Sequence, residues 1–179
     1  MSLSKIPNYL QDAFTKADMP SGSVLQVRQA YKTDTFSTTS TTLVDVAGLS
    51  VTITPTAASS KFLIMIKMTY ENTFYTGHVA LLRNSTEIGT ADSAGSRPTN
   101  ILFYSNSTNA GADGQWVREG MDYLDSPLTT NSITYKIQAS ARRDGQGGTM
   151  YINRSNPDRD TNGYDGRGTS SLIVMEIAG

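Results

Sequence analysis

From Ser23 onward, apolar and polar positions alternate with a period of two, the signature of half-buried strands. Ser23 to Tyr31 places Val24, Gln26, Arg28 and Ala30 on one face and Leu25, Val27, Gln29 and Tyr31 on the other. Thr33 to Thr42 is a Thr/Ser tract that reads as exposed strand and turn, and Leu43 to Val46 follows. Leu49, Val51 and Ile53 alternate with Ser50, Thr52 and Thr54 until Pro55 stops the strand. Lys61 to Tyr70 is the most apolar stretch and predicts a central strand covered on both faces. Further strands are expected over 78–83, 101–104, 116–124, 133–140, 149–153 and 171–178. Two Gly- and polar-rich loops, 89–100 and 153–168, interrupt them. Roughly nine or ten strands with no helix between them exclude βαβ units. They predict an all-β, antiparallel β-sandwich, jelly-roll-like, over residues 22–179.

The first twenty residues follow another period. Ile6, Leu10, Ala13 and Phe14 fall on one face of a short helix, with Pro7 in its first turn and the breakers Pro20 and Gly22 behind it. A helix this short is marginal alone in water, so this helical or extended arm, residues 1–21, must pack on its own domain or on a partner. Ile6, Tyr9, Leu10 and Phe14 are its candidate docking residues.

Composition changes the picture in three ways. Charged residues are only 17% of the 179, and Ser plus Thr make up roughly a quarter, so the outer faces are covered by uncharged polar groups. The net charge of −1 gives no basic footprint for nucleic acid. The absence of cysteine removes disulfides, Cys-based zinc sites and thiol nucleophiles. No signal peptide and no membrane-spanning run is read, so a chain made in a cytoplasm without membrane insertion is expected.

Candidate chemistry is sparse. His78 is the only imidazole a Ser-His-Asp arrangement could use, and it lies in a strand pattern. No catalytic residue is assigned and no cofactor is expected. Asp158, Asp160 and Asn162 match the first half of a calcium loop, but its twelfth position is Thr169 and not Glu. Asn84, Asn106 and Asn153 head glycosylation sequons that Ser/Thr-rich sequence produces by chance. Tyr70, Phe74, Tyr75, Phe103, Tyr104, Trp116 and Tyr123 suit either a sugar platform or core and interface anchors.

Several stretches resemble a family of tailed-phage virion proteins, found in marine and cyanobacterial phages, that carry a fibre-type β domain. They are Gly22 to Val27, Thr33 to Ser40, Val44 to Pro55, Ser59 to Leu63, Ser93 to Arg97, Ile152 to Ser155 and Arg167 to Ile177. The resemblance implies a non-enzymatic structural protein, a homotrimer displayed on the virion surface as a tail or head fibre or a decoration protein, assembled in the host cytoplasm. Residues 1–21 would then dock it to other capsid or tail proteins. Ser93, Arg97, Asp158, Tyr164 and Arg167 would be receptor-facing loop positions toward a host surface glycan or protein. The reading from another class is a carbohydrate-binding module or a glycan depolymerase.

Overall fold

A computed structural model describes residues 19–72, 75–97, 99, 102–106, 117–141, 148–160 and 165–179. The strands are β1 (Val24–Lys32), β2 (Phe36–Thr38), β3 (Val44–Ile53), β4 (Lys61–Asn72), β5 (Tyr75–Arg83), β6 (Thr86–Ile88), β7 (Leu102–Asn106), β8 (Val117–Asp125), β9 (Ile133–Ser140), β10 (Met150–Ile152) and β11 (Ser170–Ile177). They form two antiparallel sheets. In the first, β1 pairs β11, β11 pairs β4 and β4 pairs β8, while the short β2 and β10 continue the β1 and β11 columns beyond Lys67 of β4. In the second, β3 pairs β9, β9 pairs β5, and β6 and β7 share the far edge of β5. Two sheets of four columns, with successive strands crossing between them, make the double Greek key of a jelly roll. The predicted sandwich is therefore observed.

The core lies between the sheets and follows the period-two pattern. Phe62, Ile64, Ile66, Met68 and Tyr70 of β4 face Val51 and Ile53 of β3, Val79 and Leu81 of β5, and Ile133, Tyr135 and Ile137 of β9. Leu172 and Val174 of β11 complete it. Each such side chain contributes about 1.5–3 kcal/mol when fully withdrawn from water. β4 departs from expectation in one respect. Its second face is not closed: Leu63 and Met65 are only half-buried and Lys67 is exposed. Among the described residues, only beyond Lys67 is that side crossed, by the segment around Gly168 at Thr69.

Two irregularities keep the pattern in phase. On β3 the register shifts between Asp45 and Ser50 around Gly48, whose φ of +85° suits glycine, so that Val46 and Leu49 both point inward. On β1 a bulge between Val24 and Gln26 puts Val24 opposite Ile177 and Val27 opposite Met175. The turn joining β5 to β6 is Asn84-Ser85, with Asn84 in the left-handed region (φ 56°) as a two-residue hairpin favours.

Buried polar groups tie the layers together. Asp125 of β8 accepts two hydrogen bonds from Arg83 Nη1 of β5 (2.8 and 3.0 Å) and one from the Tyr135 hydroxyl of β9 (2.7 Å). Burial, then the bond to Asp125, pushes the Tyr135 phenol far up and keeps it neutral. The Tyr135 ring also meets Phe62 from the opposite sheet at 5.8 Å between centroids. Asn153, fully buried with φ 62°, donates through Nδ2 to the carbonyls of Lys32 (3.0 Å) and Asp34 (2.9 Å). Its Oδ1 accepts from the Ser170 hydroxyl (2.7 Å), so one amide joins the β1–β2 turn, the end of β10 and the start of β11.

At the other end of the sheet, Glu176 projects inward with no exposed surface. Gln26 Nε2 donates to it at 2.6 Å, the Thr56 amide at 2.5 Å and the Thr56 hydroxyl at 3.0 Å. Burial pushes its pKa up. The hydrogen bonds from Ser60, the Thr56 amide, Gln26 and the Thr56 hydroxyl outweigh that and hold it below the usual carboxylate range.

Two predictions follow from these buried groups. Asn153→Ala strands two carbonyls and a hydroxyl, and urea unfolding is expected to register a loss of about 3 kcal/mol. A cost under roughly 1 kcal/mol in the same titration would mean that the amide is not the hub described. For Glu176 the folded pKa lies below the unfolded one, so its stabilisation is complete above the unfolded value and drains away as pH falls through the folded pKa. Stability of the natural chain should fall more steeply than that of Glu176→Gln below about pH 4.5, the ordinary carboxylate value. Parallel curves for the two proteins would contradict the assignment.

Candidate assembly surface

The outer faces of the two sheets differ in kind. On the β3–β9–β5 sheet, outward positions are polar on β3 and β9, while the outward Ala80 and Leu82 of β5 are apolar but buried. Thr52 meets Thr134 through their hydroxyls at 2.9 Å, and Asp45 is held by Lys136 Nζ (2.9 Å) and Gln138 Nε2 (2.7 Å). The Lys136 bond, then the Gln138 bond, lowers the Asp45 pKa. That is the expected wet side of an antiparallel sandwich.

The outer face of the β1–β11–β4–β8 sheet is apolar over one half. Strand register sets Val27 opposite Met175, Met175 opposite Leu63 and Leu63 opposite Leu124, an unbroken apolar row across all four columns. Ile173 and Met65 form the centre of the next row, and Val24 and Ile177 close the corner on the other side. Val27 and Leu124, at the two ends of the row, are 48% and 52% exposed, and Val24 is 52% exposed. The inner four are half-buried. From strand spacing and the two-residue repeat, this patch covers roughly 300–400 Å². Cross-strand pairing of apolar side chains stabilises the sheet itself, yet it does not withdraw their outer surfaces from water.

Beyond the apolar half, the same face turns basic. Tyr31, Ser171, Lys67 and Gly120 form one row, and Thr69 and Arg118 the next. Here the segment Arg167-Gly168-Thr169 folds over Thr69, whose hydroxyl donates to the Thr169 carbonyl at 3.0 Å. Gly168 is required at this crossing because a Cβ would lie 2.4 Å from Thr69 Cγ2. Thr69, Val117, Arg118, Arg167, Gly168 and Thr169 line a groove of about 370 Å³ with a guanidinium in each wall.

The candidate residues from the sequence distribute as follows. Ile6, Tyr9, Leu10 and Phe14 lie outside the described residues, as do Tyr164 and Asn162. Ser93 and Arg97 are exposed on the loop between β6 and β7. Asp158 and Arg167 meet in an ion pair of 2.5 Å, and Arg154 approaches the other Asp158 oxygen at 3.6 Å. The Asp158 carboxylate is thus engaged by guanidinium groups, Asp160 is exposed, and no cluster of three metal-ligating side chains occurs among the described residues. His78 is 2% exposed at a position opposite Ser140, which is 0% exposed, and neither side chain opens to a substrate. Of the aromatic candidates, Tyr70 is core and Tyr123 packs against the core from β8. Phe74 and Trp116 lie outside the described residues, and only the backbone is described at Tyr75, Phe103 and Tyr104.

Sequence reasoning missed the apolar row. The signal was present only in part, as apolar residues at both parities of β4 and β11, and only strand register brings Val27, Met175, Leu63 and Leu124 into line.

No protein-family model matches the chain, and no curated protein matches it. Among solved structures it is similar to a chain in a structure of infectious bursal disease virus, Gx strain. The identity is 13%, the match covers 88% of this chain and 43% of that one, and the TM-score is 0.38. This chain therefore spans less than half the length of its neighbour, and a likeness of that depth bears on neither activity nor partners.

Proposed function

We propose that the chain is a non-enzymatic structural subunit of a virus particle, a phage fibre or decoration protein that works by associating with other proteins. The observation that carries this reading is the apolar row Val27–Met175–Leu63–Leu124 on an outer sheet face, exposed at both ends, whereas the outer face of the second sheet is polar along β3 and β9. An apolar centre with a polar and basic rim is the anatomy of a protein–protein contact. The finer reading, a trimer on the particle surface with residues 1–21 docked to neighbouring capsid or tail proteins, rests on the resemblance of Gly22 to Ile177 to phage virion proteins.

Val27→Lys combined with Leu124→Lys tests it. Both positions are exposed, so unfolding stability should change by no more than about 0.5 kcal/mol per site. Incorporation into particles, followed by mass spectrometry of purified virions, should fall at least about tenfold, the equivalent of 1.4 kcal/mol. Normal incorporation of a folded double variant would remove the face from the assembly reading.

A second reading is favoured by the groove between Arg118 and Arg167. Arg118 in one wall, facing an Arg167 that is already paired with Asp158, suits a carboxylate or sulfate on a saccharide, which makes a host glycan contact the alternative. Calorimetry with uronate-bearing, sulfated and neutral oligosaccharides should give binding for the acidic ones only. Arg118→Ala with Arg167→Ala should abolish it. Equal or absent heats across the three would dismiss a glycan role for this groove.

A further inference from the structure

We infer that the outer edge of β8 pairs antiparallel with the same edge of a second copy, about a two-fold axis at Gly120, and joins two four-column sheets into one. This names a partner for the subunit of the proposed function, the chain itself. The contact is a property of the isolated protein.

The edges of the sandwich are not alike. β1 ends the first sheet on one side and lies against β3, the end strand of the second. Both carry register shifts, between Val24 and Gln26 and between Asp45 and Ser50. On the other side, the second sheet ends in the short strands β6 and β7. Bulges and short strands are devices that stop an edge from recruiting another strand. β8 has neither. Its nine residues pair β4 in continuous register from Val117 to Asp125, and no strand among the described residues pairs its other side. Arg118, Glu119 and Gly120 are exposed in succession, at both parities, as happens where the edge itself meets water. At Gly120 the exposed surface is main chain. A Cβ there would lie 2.7 Å from the Ile66 carbonyl oxygen, so no side chain can shield it. Amides and carbonyls along such a regular edge are a template for another strand.

Charge decides which strand. When identical strands pair antiparallel about a two-fold axis, opposed residues share one parity, because only alternate residues turn their amide and carbonyl toward the free edge. Few registers then overlap most of β8. Centred on Glu119 or on Asp122, the pairing sets that carboxylate against its own copy, which is repulsive. Centred on Met121, it sets Arg118 against Leu124. Centred on Gly120, it sets Arg118 of each copy against Asp122 of the other, twice, on the outer face where both are exposed. The two glycines then meet at the axis, where main chain approaches main chain unhindered. On the inner face the same register sets Val117 against Tyr123, both of which pack on the core and are only partly covered. Edge charges ordinarily repel a visiting strand. Here the same two charges turn away other strands and accept this one.

A contact over Val117 to Tyr123 is smaller than a standard interface, so it forms reversibly as concentration rises. The axis stands perpendicular to the sheet. Both apolar rows therefore end on the same side of the joined sheet, where one larger partner meets two of them.

Charge reversal in the full-length protein tests the register. Sedimentation equilibrium over about a hundredfold range of concentration should show the natural chain passing from monomer to dimer. Arg118→Asp and Asp122→Arg each oppose like charges, and each should lower the association constant at least about tenfold. Combining the two restores the pair with its signs exchanged, and should bring the constant back to within about threefold of the natural chain. Urea unfolding confirms that all four proteins are folded. A natural chain that stays monomeric throughout, single reversals that associate as the natural chain does, or a combined variant no stronger than the singles would each overturn the inference. No particle enters the measurement, so its failure leaves the incorporation test of Val27 and Leu124 standing, and failure of that test leaves this one standing.

Discussion

The register of β4 is the constraint on which the rest of the molecule depends. It is hydrogen-bonded to β8 along one side and to β11 and then β10 along the other. Phe62, Ile64, Ile66, Met68 and Tyr70 point into the sandwich, and Leu63, Met65 and Lys67 point out. A slip of one residue would exchange these sets and bury Lys67 in place of Ile66. The same register therefore fixes the core and creates the outer apolar row. Neither can be changed without the other, because alternate residues of one strand serve both.

The buried polar contacts act on top of that register and restrict it. Asp125 can meet Arg83 and Tyr135 only if β8 is in phase with β4 and the two sheets are in their observed positions. Glu176 reaches Gln26 and Thr56 only if β11 pairs β1 as it does. Carboxylates of this kind are costly to bury and gain little over an apolar side chain of similar volume. Their effect is on the alternatives. A shifted strand would leave Asp125 or Glu176 buried without donors, at a cost of several kcal/mol. Asn153 does the same for the loop between β10 and β11, and so holds Arg167 and Gly168 over Thr69.

How far the sequence carries is clear from individual strands. Leu49, Val51 and Ile53, or Ile133, Tyr135 and Ile137, declare their buried face by simple alternation, and those positions are core. β4 was less legible. Phe62-Leu63-Ile64-Met65-Ile66 is apolar at both parities, which reads as burial on both sides, whereas Leu63 and Met65 lie on an open face. Hydropathy cannot distinguish a residue covered by the fold from one awaiting a partner, since both are selected to avoid water. The phase of β1 was hidden for another reason: the bulge after Val24 moves that residue onto the face of Val27, and no local signal in Ser23-Val24-Leu25-Gln26 marks it. The clasp of Arg83, Asp125 and Tyr135 was equally invisible, because its members come from three strands and meet only in the folded sandwich.

An outer row of four apolar side chains sets a balance between folding and association. Removing it would not harm the core, since Met175 and Leu124 face away from Ile64 and Val174. Keeping it exposed costs the free subunit solubility, at about 25 cal/mol for each Å² that a cover would withdraw from water. Over a few hundred Å² that is several kcal/mol of gross driving force for association, reduced by the cost of immobilising a partner. The same strands thus carry two surfaces of different fate, a core closed by the fold and an outer row that only a partner's surface would withdraw from water.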